Sequence, residues 1–165
     1  MRSFQESICL LAIASIVAVI PEPATAADEI VGRATVIDGD TIEIAGERIR
    51  LDGIDAPESR QHCVDERGAK YACDRQAAHA LDRQLASSRP TRCVRNGHDR
   101  YGRTIATCFL SSGIDVAAWL VRNGHALDWP RYSNGRYANE QHAAEAERRG
   151  MWRGQFDAPW DWRRR

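Results

Sequence analysis

Lysine is almost missing from this chain. Of its 23 lysine and arginine residues only Lys70 is lysine, so contacts to anionic groups fall to guanidinium forks, which pair through two hydrogen bonds where an ammonium makes a point contact. A charge excess of either sign is also missing, since 23 basic residues balance 23 acidic ones. That balance excludes attraction of polyanions by an overall field and leaves any such affinity to local patches. The five histidines show no ligand pairing at helical or hairpin spacing, so a histidine-based metal centre is not expected. No internal repeat or low-complexity segment occurs, which excludes solenoids and arrays.

Long apolar runs are scarce as well. One, from Ile8 to Ile20, is shorter than the about 20 residues that span a bilayer. With Arg2 before it and Ala24-Thr25-Ala26 after it, it reads as an export signal cleaved near Ala27. We expect a signal peptide over 1–26, one domain over 27–152 and a Trp/Arg-rich tail over 153–165. The mature protein is then periplasmic or secreted, monomeric and without stable membrane association. Removal of Arg2, Glu6 and Glu22 leaves it slightly basic.

Cysteine is sparse but even in the exported part. With Cys9 in the signal, Cys63, Cys73, Cys93 and Cys108 remain, and an oxidising compartment favours two disulfides. Four cysteines allow three pairings. A hairpin turning near Arg100 and Tyr101 brings Cys93 opposite Cys108, which leaves Cys63 with Cys73. A zinc site from His62, Cys63, Cys73 and His79 is the rival, with a spacing that matches no common ligand pattern.

Residues 33–54 alternate β-branched with polar side chains and break at Asp38-Gly39-Asp40 and at Ala45-Gly46-Glu47, a three-strand meander. In its third strand Ile49 and Leu51 point one way, so Arg50 points the other. Helical spacing of Ala72, Ala77, Ala80, Leu81 and Leu85 predicts a helix over 68–87, followed by a hairpin over 91–110. Further helices are expected over 114–123 and 134–149, each stopped by a glycine.

The chemistry-bearing residues fall in three segments. They are Val36-Ile37-Asp38-Gly39-Asp40-Thr41-Ile42, Arg50-Leu51-Asp52-Gly53-Ile54-Asp55-Ala56-Pro57-Glu58, and Asp99-Arg100-Tyr101-Gly102-Arg103. Singly, Asp38 and Asp40 suit a tight turn, and Asp55-Ala56-Pro57-Glu58 suits a helix start. Together they supply two carboxylates for a hard divalent cation, a third carboxylate to move a proton, and two guanidinium forks. That is the kit for cutting a phosphodiester.

These segments, followed by Val121-Arg122-Asn123-Gly124 and Ala144 to Trp152, resemble the staphylococcal nuclease (thermonuclease) family, in order over 31–152. The resemblance implies a mainly β OB-fold, a five-stranded Greek-key barrel with three α-helices. It also implies calcium-dependent hydrolysis of DNA and RNA with little sequence specificity, leaving 5′-hydroxyl and 3′-phosphate ends. Asp40 and Asp55 fall on the family's calcium carboxylates and Ala56 on its carbonyl ligand. Arg50 and Arg103 fall on the catalytic arginines, and Glu58 on the catalytic glutamate, the expected general base. Asp38 matches an acidic residue near the metal. Trp129 and Tyr132 align with nucleotide-contacting tyrosines, although Trp129 suits the core equally. Two departures stand out: the lysine-rich loop that follows the glutamate in the type member is replaced here by residues 60–70, and the nucleotide-contacting tyrosines find only a loose match in Trp129 and Tyr132. The Arg-rich tail is given no role. The alternatives are an OB-fold module that binds nucleic acid without cutting it, and an accessory protein of envelope or polysaccharide assembly that reuses the fold.

Overall fold

The computed structural model describes residues 28–165, so the export segment expected over 1–26, with Cys9, lies outside the described residues. Among the described residues ten strands come in chain order with five helices. The strands β1 (Glu29–Gly32), β2 (Ala34–Val36), β3 (Thr41–Ile44), β4 (Glu47–Leu51) and β5 (Ile54–Asp55) precede β6 (His62–Val64) and β7 (Lys70–Ala72). Then follow helix α1 (Cys73–Ser87), β8 (Thr91–His98), β9 (Thr104–Phe109), α2 (Val116–Arg122), β10 (Leu127–Asp128), α3 (Pro130–Ser133) and α4 (Ala138–Ala146). A 3-10 turn (Gly150–Arg153) and the one-turn helix α5 (Pro159–Trp162) end the chain.

The main sheet runs β1-β8-β9-β4-β3-β2. Its two edge strands, β1 and β2, belong to one run of chain broken only at Arg33. One end of that run pairs with β8 and the other with β3, so the sheet closes on itself. Counted as runs, five strands form the barrel, which is the OB-type architecture. The β4–β9 pairing is parallel and the rest are antiparallel.

Alternation decides what fills the barrel. Ile42 and Ile44 of β3, Ile49 and Leu51 of β4, and Ala106 and Cys108 of β9 are buried, while Arg48 and Arg50 leave the interior. Each buried aliphatic side chain contributes about 1.5–3 kcal/mol of transfer free energy. Cys93 and Cys108 lie directly opposite in the β8–β9 register and are joined by a disulfide.

Where the sequence predicts a helix from Gly68, the structure delays it. Residues 70–72 pair with 62–64 as a short hairpin, and the Cys63–Cys73 disulfide ties its base. The bridge thereby fixes the start of α1 at Cys73, and the zinc alternative is overturned because both sulfurs are consumed. The helix expected over 114–123 contracts to α2, because the Asp115 carboxylate accepts from the amides of Ala117 and Ala118 and caps it. That expected over 134–149 contracts to α4, preceded by the single turn α3. No helix start forms at Asp55 to Glu58: Asp55 ends a strand, and loop follows.

The tail packs on the body. Phe156, Ala158 and Trp160 cover a second apolar cluster of Cys63, Cys73, Leu127 and Met151, and Gln155 exchanges two backbone hydrogen bonds with Val64.

Candidate active site

Three short pairings assemble the site. In the β3–β4 register Thr41 lies opposite Arg50, which sets Asp40, one residue earlier, beside the guanidinium. The bend over 37–40 reaches the loop after β5 closely enough that a Cβ on Gly39 would stand 2.7 Å from that of Ala56. The amide of Ala56 donates to Asp40 Oδ2 at 3.2 Å. Finally β5 pairs with β10, Asp55 opposite Leu127, which delivers Trp129 to the rim, its amide donating to Gly53 O at 2.9 Å.

Arg50 joins the two acids. Its Nη1 donates to Asp40 Oδ1 at 2.8 Å and its Nη2 to Asp55 Oδ1 at 2.9 Å. Asp40 is 5% exposed and Asp55 not at all, so both charges depend on these partners. Burial pushes the Asp40 carboxyl up to about 7 even though Arg50 opposes it, with Asp38 and Asp55 adding repulsion. Arg50 alone does not neutralise this group of acids.

A cleft of about 640 Å³ opens over the pair. Asp38, Asp40, Arg50, Ala56, Glu58 and Arg103 line it, and Trp129 and Tyr132 form part of its wall. Asp55 sits beneath. All of the sequence-assigned site residues thus converge on one place. Arg103 stands in the turn between β8 and β9, where Asp99 Oδ1 accepts from the amides of Tyr101 and Arg103 and Asp99 Oδ2 accepts from Arg103 Nε at 2.7 Å. That carboxylate both shapes the turn and orients the guanidinium. Glu58 is held through its amide, which donates to Oε1 of the buried Gln61 at 2.9 Å.

Trp129 is half-buried and packs edge-on to Tyr132 at 4.5 Å and near-parallel to Trp160 at 6.0 Å. Tyr132 and Tyr101 keep the exposed rings, 50% and 74%.

One residue of the site escaped the sequence reading. Arg163, in the tail left without a role, donates from Nη1 to Asp55 Oδ1 at 3.0 Å and from Nη2 to Asp55 Oδ2 at 2.7 Å. It also pairs with Glu58, and its Cζ lies 5.0 Å from the Trp129 ring. Burial would lower the Arg163 pKa, but Asp55 and Glu58 outweigh it and hold the pKa above its ordinary value. The only local signal was the Trp160-Asp161-Trp162-Arg163 pattern.

No group of three or more His, Cys, Asp or Glu side chains able to hold a metal occurs among the described residues. The oxygen donors that do converge, two buried carboxylates and the loop at Ala56, suit a hard cation that keeps most positions for water and substrate oxygens.

The family model described as "Staphylococcal nuclease homologue" matches residues 48–154, a segment that includes Arg50, Asp55, Ala56, Glu58 and Arg103. The chain is 53% identical over 132 residues to "Succinoglycan biosynthesis protein ExoI" of Rhizobium meliloti (strain 1021), covering 80% of this chain and 69% of that one. It is 30% identical over 136 residues to an "Uncharacterized endonuclease" of Escherichia coli O157:H7, covering 79% and 82%. Against "Probable staphylococcal-like nuclease CAN3" of Oryza sativa subsp. japonica it is 29% identical over 119 residues, 71% of this chain and 28% of the other. With barrel, site and sequence in agreement, the chain belongs to the staphylococcal nuclease family.

Proposed function

We propose that this protein is an exported, calcium-dependent nuclease that hydrolyses phosphodiester bonds of DNA and RNA with little sequence preference, leaving 5′-hydroxyl and 3′-phosphate ends. The observation that carries the reading is the convergence of Asp40, Arg50, Glu58 and Arg103 on one cleft, with Asp55 buried beneath and bonded to Arg50. Relatives named as nucleases support it, and the two disulfides support export to an oxidising compartment.

Asp40, Asp55 and the carbonyl of Ala56 would hold the cation, which when bound polarises a phosphoryl oxygen and acidifies water. Arg50 and Arg103 supply guanidinium forks for the scissile phosphate and meet the charge that develops on its oxygens. Glu58, partly exposed at the cleft wall, accepts a proton from the attacking water. Tyr132, with Trp129 behind it, offers a ring on which any base stacks, a contact that tolerates sequence.

Incubation of the pure protein with DNA and RNA in calcium, in magnesium and in chelator tests this. Cleavage confined to the metal-containing tubes is expected. Intact but protein-bound nucleic acid in every tube would favour the binding module. A second reading has one observation behind it: a relative at 53% identity is named for succinoglycan biosynthesis. That name describes a process and not a reaction. A stable protein partner found together with no nuclease activity would favour the accessory role.

A further inference from the structure

The tail reaches the wall of the cleft as a strap with two unequal ends. Its root is fixed: Gln61 Nε2 donates to Asp157 O at 2.8 Å, Pro159 is buried, and Trp160 lies against Trp129. Apart from the ion pairs of Arg163 its tip is held from within the tail: Arg163 follows the single turn of α5 with its side chain 34% exposed, Arg164 pairs with Asp161 and Arg165 with Asp157.

Arg163 takes both oxygens of Asp55, one of which also accepts from Arg50, and it reaches Glu58 as well. Three carboxylates, Asp40, Asp55 and Glu58, thus meet two guanidinium groups, Arg50 and Arg163, while Asp38 accepts from the amide of Asp40 beside them. Removing Arg163 deepens the negative charge where a cation would enter, and adding a cation beside Arg163 sets like charges on the same two oxygens. Each weakens the other's hold on Asp55. A positive side chain seated on buried acids therefore lowers the affinity of those acids for any other cation.

We propose that Arg163 is a built-in competitor of the divalent cation. Arg163 occupies Asp55 and Glu58 where free calcium is scarce and lifts from them where calcium is abundant. This rests on the reading of Asp40 and Asp55 as cation ligands. Displacement requires only the tip to move, since the root stays packed on the second apolar cluster, and it frees Glu58 in the same event. Arg163 lies beyond the segment matched by the family model.

Calcium chloride titrated calorimetrically into the parent protein, into Arg163→Gln and into a chain ending at Trp162 tests the competition. Both variants are expected to bind calcium about tenfold more tightly than the parent, the scale of one lost charge-assisted pair. In the parent, calcium should also change the fluorescence of the Trp129–Trp160 pair as Arg163 leaves it, and the variants should lack that change. Equal or weaker calcium binding by both variants would overturn the proposal, and a fall in turnover at unchanged calcium affinity would make Arg163 a phosphate ligand instead. Absence of calcium binding from parent and variants alike would overturn the cation-ligand reading itself, and the strap with it.

Discussion

Asp55 has no exposed surface, yet both of its oxygens are held by guanidinium groups, one from Arg50 five residues away and one from Arg163 in the tail. Such a group is tolerated only while its partners stay, so each residue around it acts through a charge it shares. Glu58 differs, standing at the cleft wall with its side chain a third exposed. Glu58→Ala is therefore expected to keep the fold and calcium binding while lowering turnover by about 10²–10⁴, read by circular dichroism, calorimetry and digestion kinetics. His125 acts on stability instead. Burial, with Arg83 and Arg153 nearby, holds its pKa down at about 4 against an ordinary 6.5. The unfolded chain takes up a proton below 6.5 and the native chain does not, so stability present above 6.5 is lost as pH falls toward 4. In His125→Gln the loss of unfolding free energy between pH 7 and pH 4.5 should be smaller by on the order of 2 kcal/mol, measured by urea denaturation.

At the scale of elements, the site depends on the bend over 37–40 touching the loop after β5. Gly39 makes that approach: an added Cβ would meet the Cβ of Ala56 at 2.7 Å and of Ala77 at 3.2 Å, neither of which is a flexible end. Gly39→Ala should destabilise the protein by about 1–3 kcal/mol and weaken calcium binding as Asp40 moves from Asp55, both measurable in one purified variant. The strands and the outward turn of Arg50 were legible in the sequence because alternation is a local signal. The start of α1 was not, because the Cys63–Cys73 bridge and the β6–β7 pairing override the helical spacing of residues 68–72. Arg163 was illegible for a stronger reason. Its place is set by Pro159, Trp160 and Gln61 docking a tail onto a sequence-distant surface, and no periodicity encodes that.

For the whole molecule, one run of chain closes the barrel, and the Cys93–Cys108 bridge fastens the hairpin that carries Arg103. The Cys63–Cys73 bridge ties the hairpin on which the strap's root rests. Barrel, cleft and tail thus meet at the buried Asp55, which takes Arg50 from the barrel wall and Arg163 from the tail. That nucleic acid is cut here, with calcium bound at Asp40 and Asp55, is the central claim. Its most direct test is digestion of single-stranded DNA by the purified protein in calcium and in excess chelator, with the ends of the products analysed. The account predicts cleavage in calcium alone, with 5′-hydroxyl and 3′-phosphate termini, whereas equal cleavage in chelator, or intact DNA in both tubes, would contradict it.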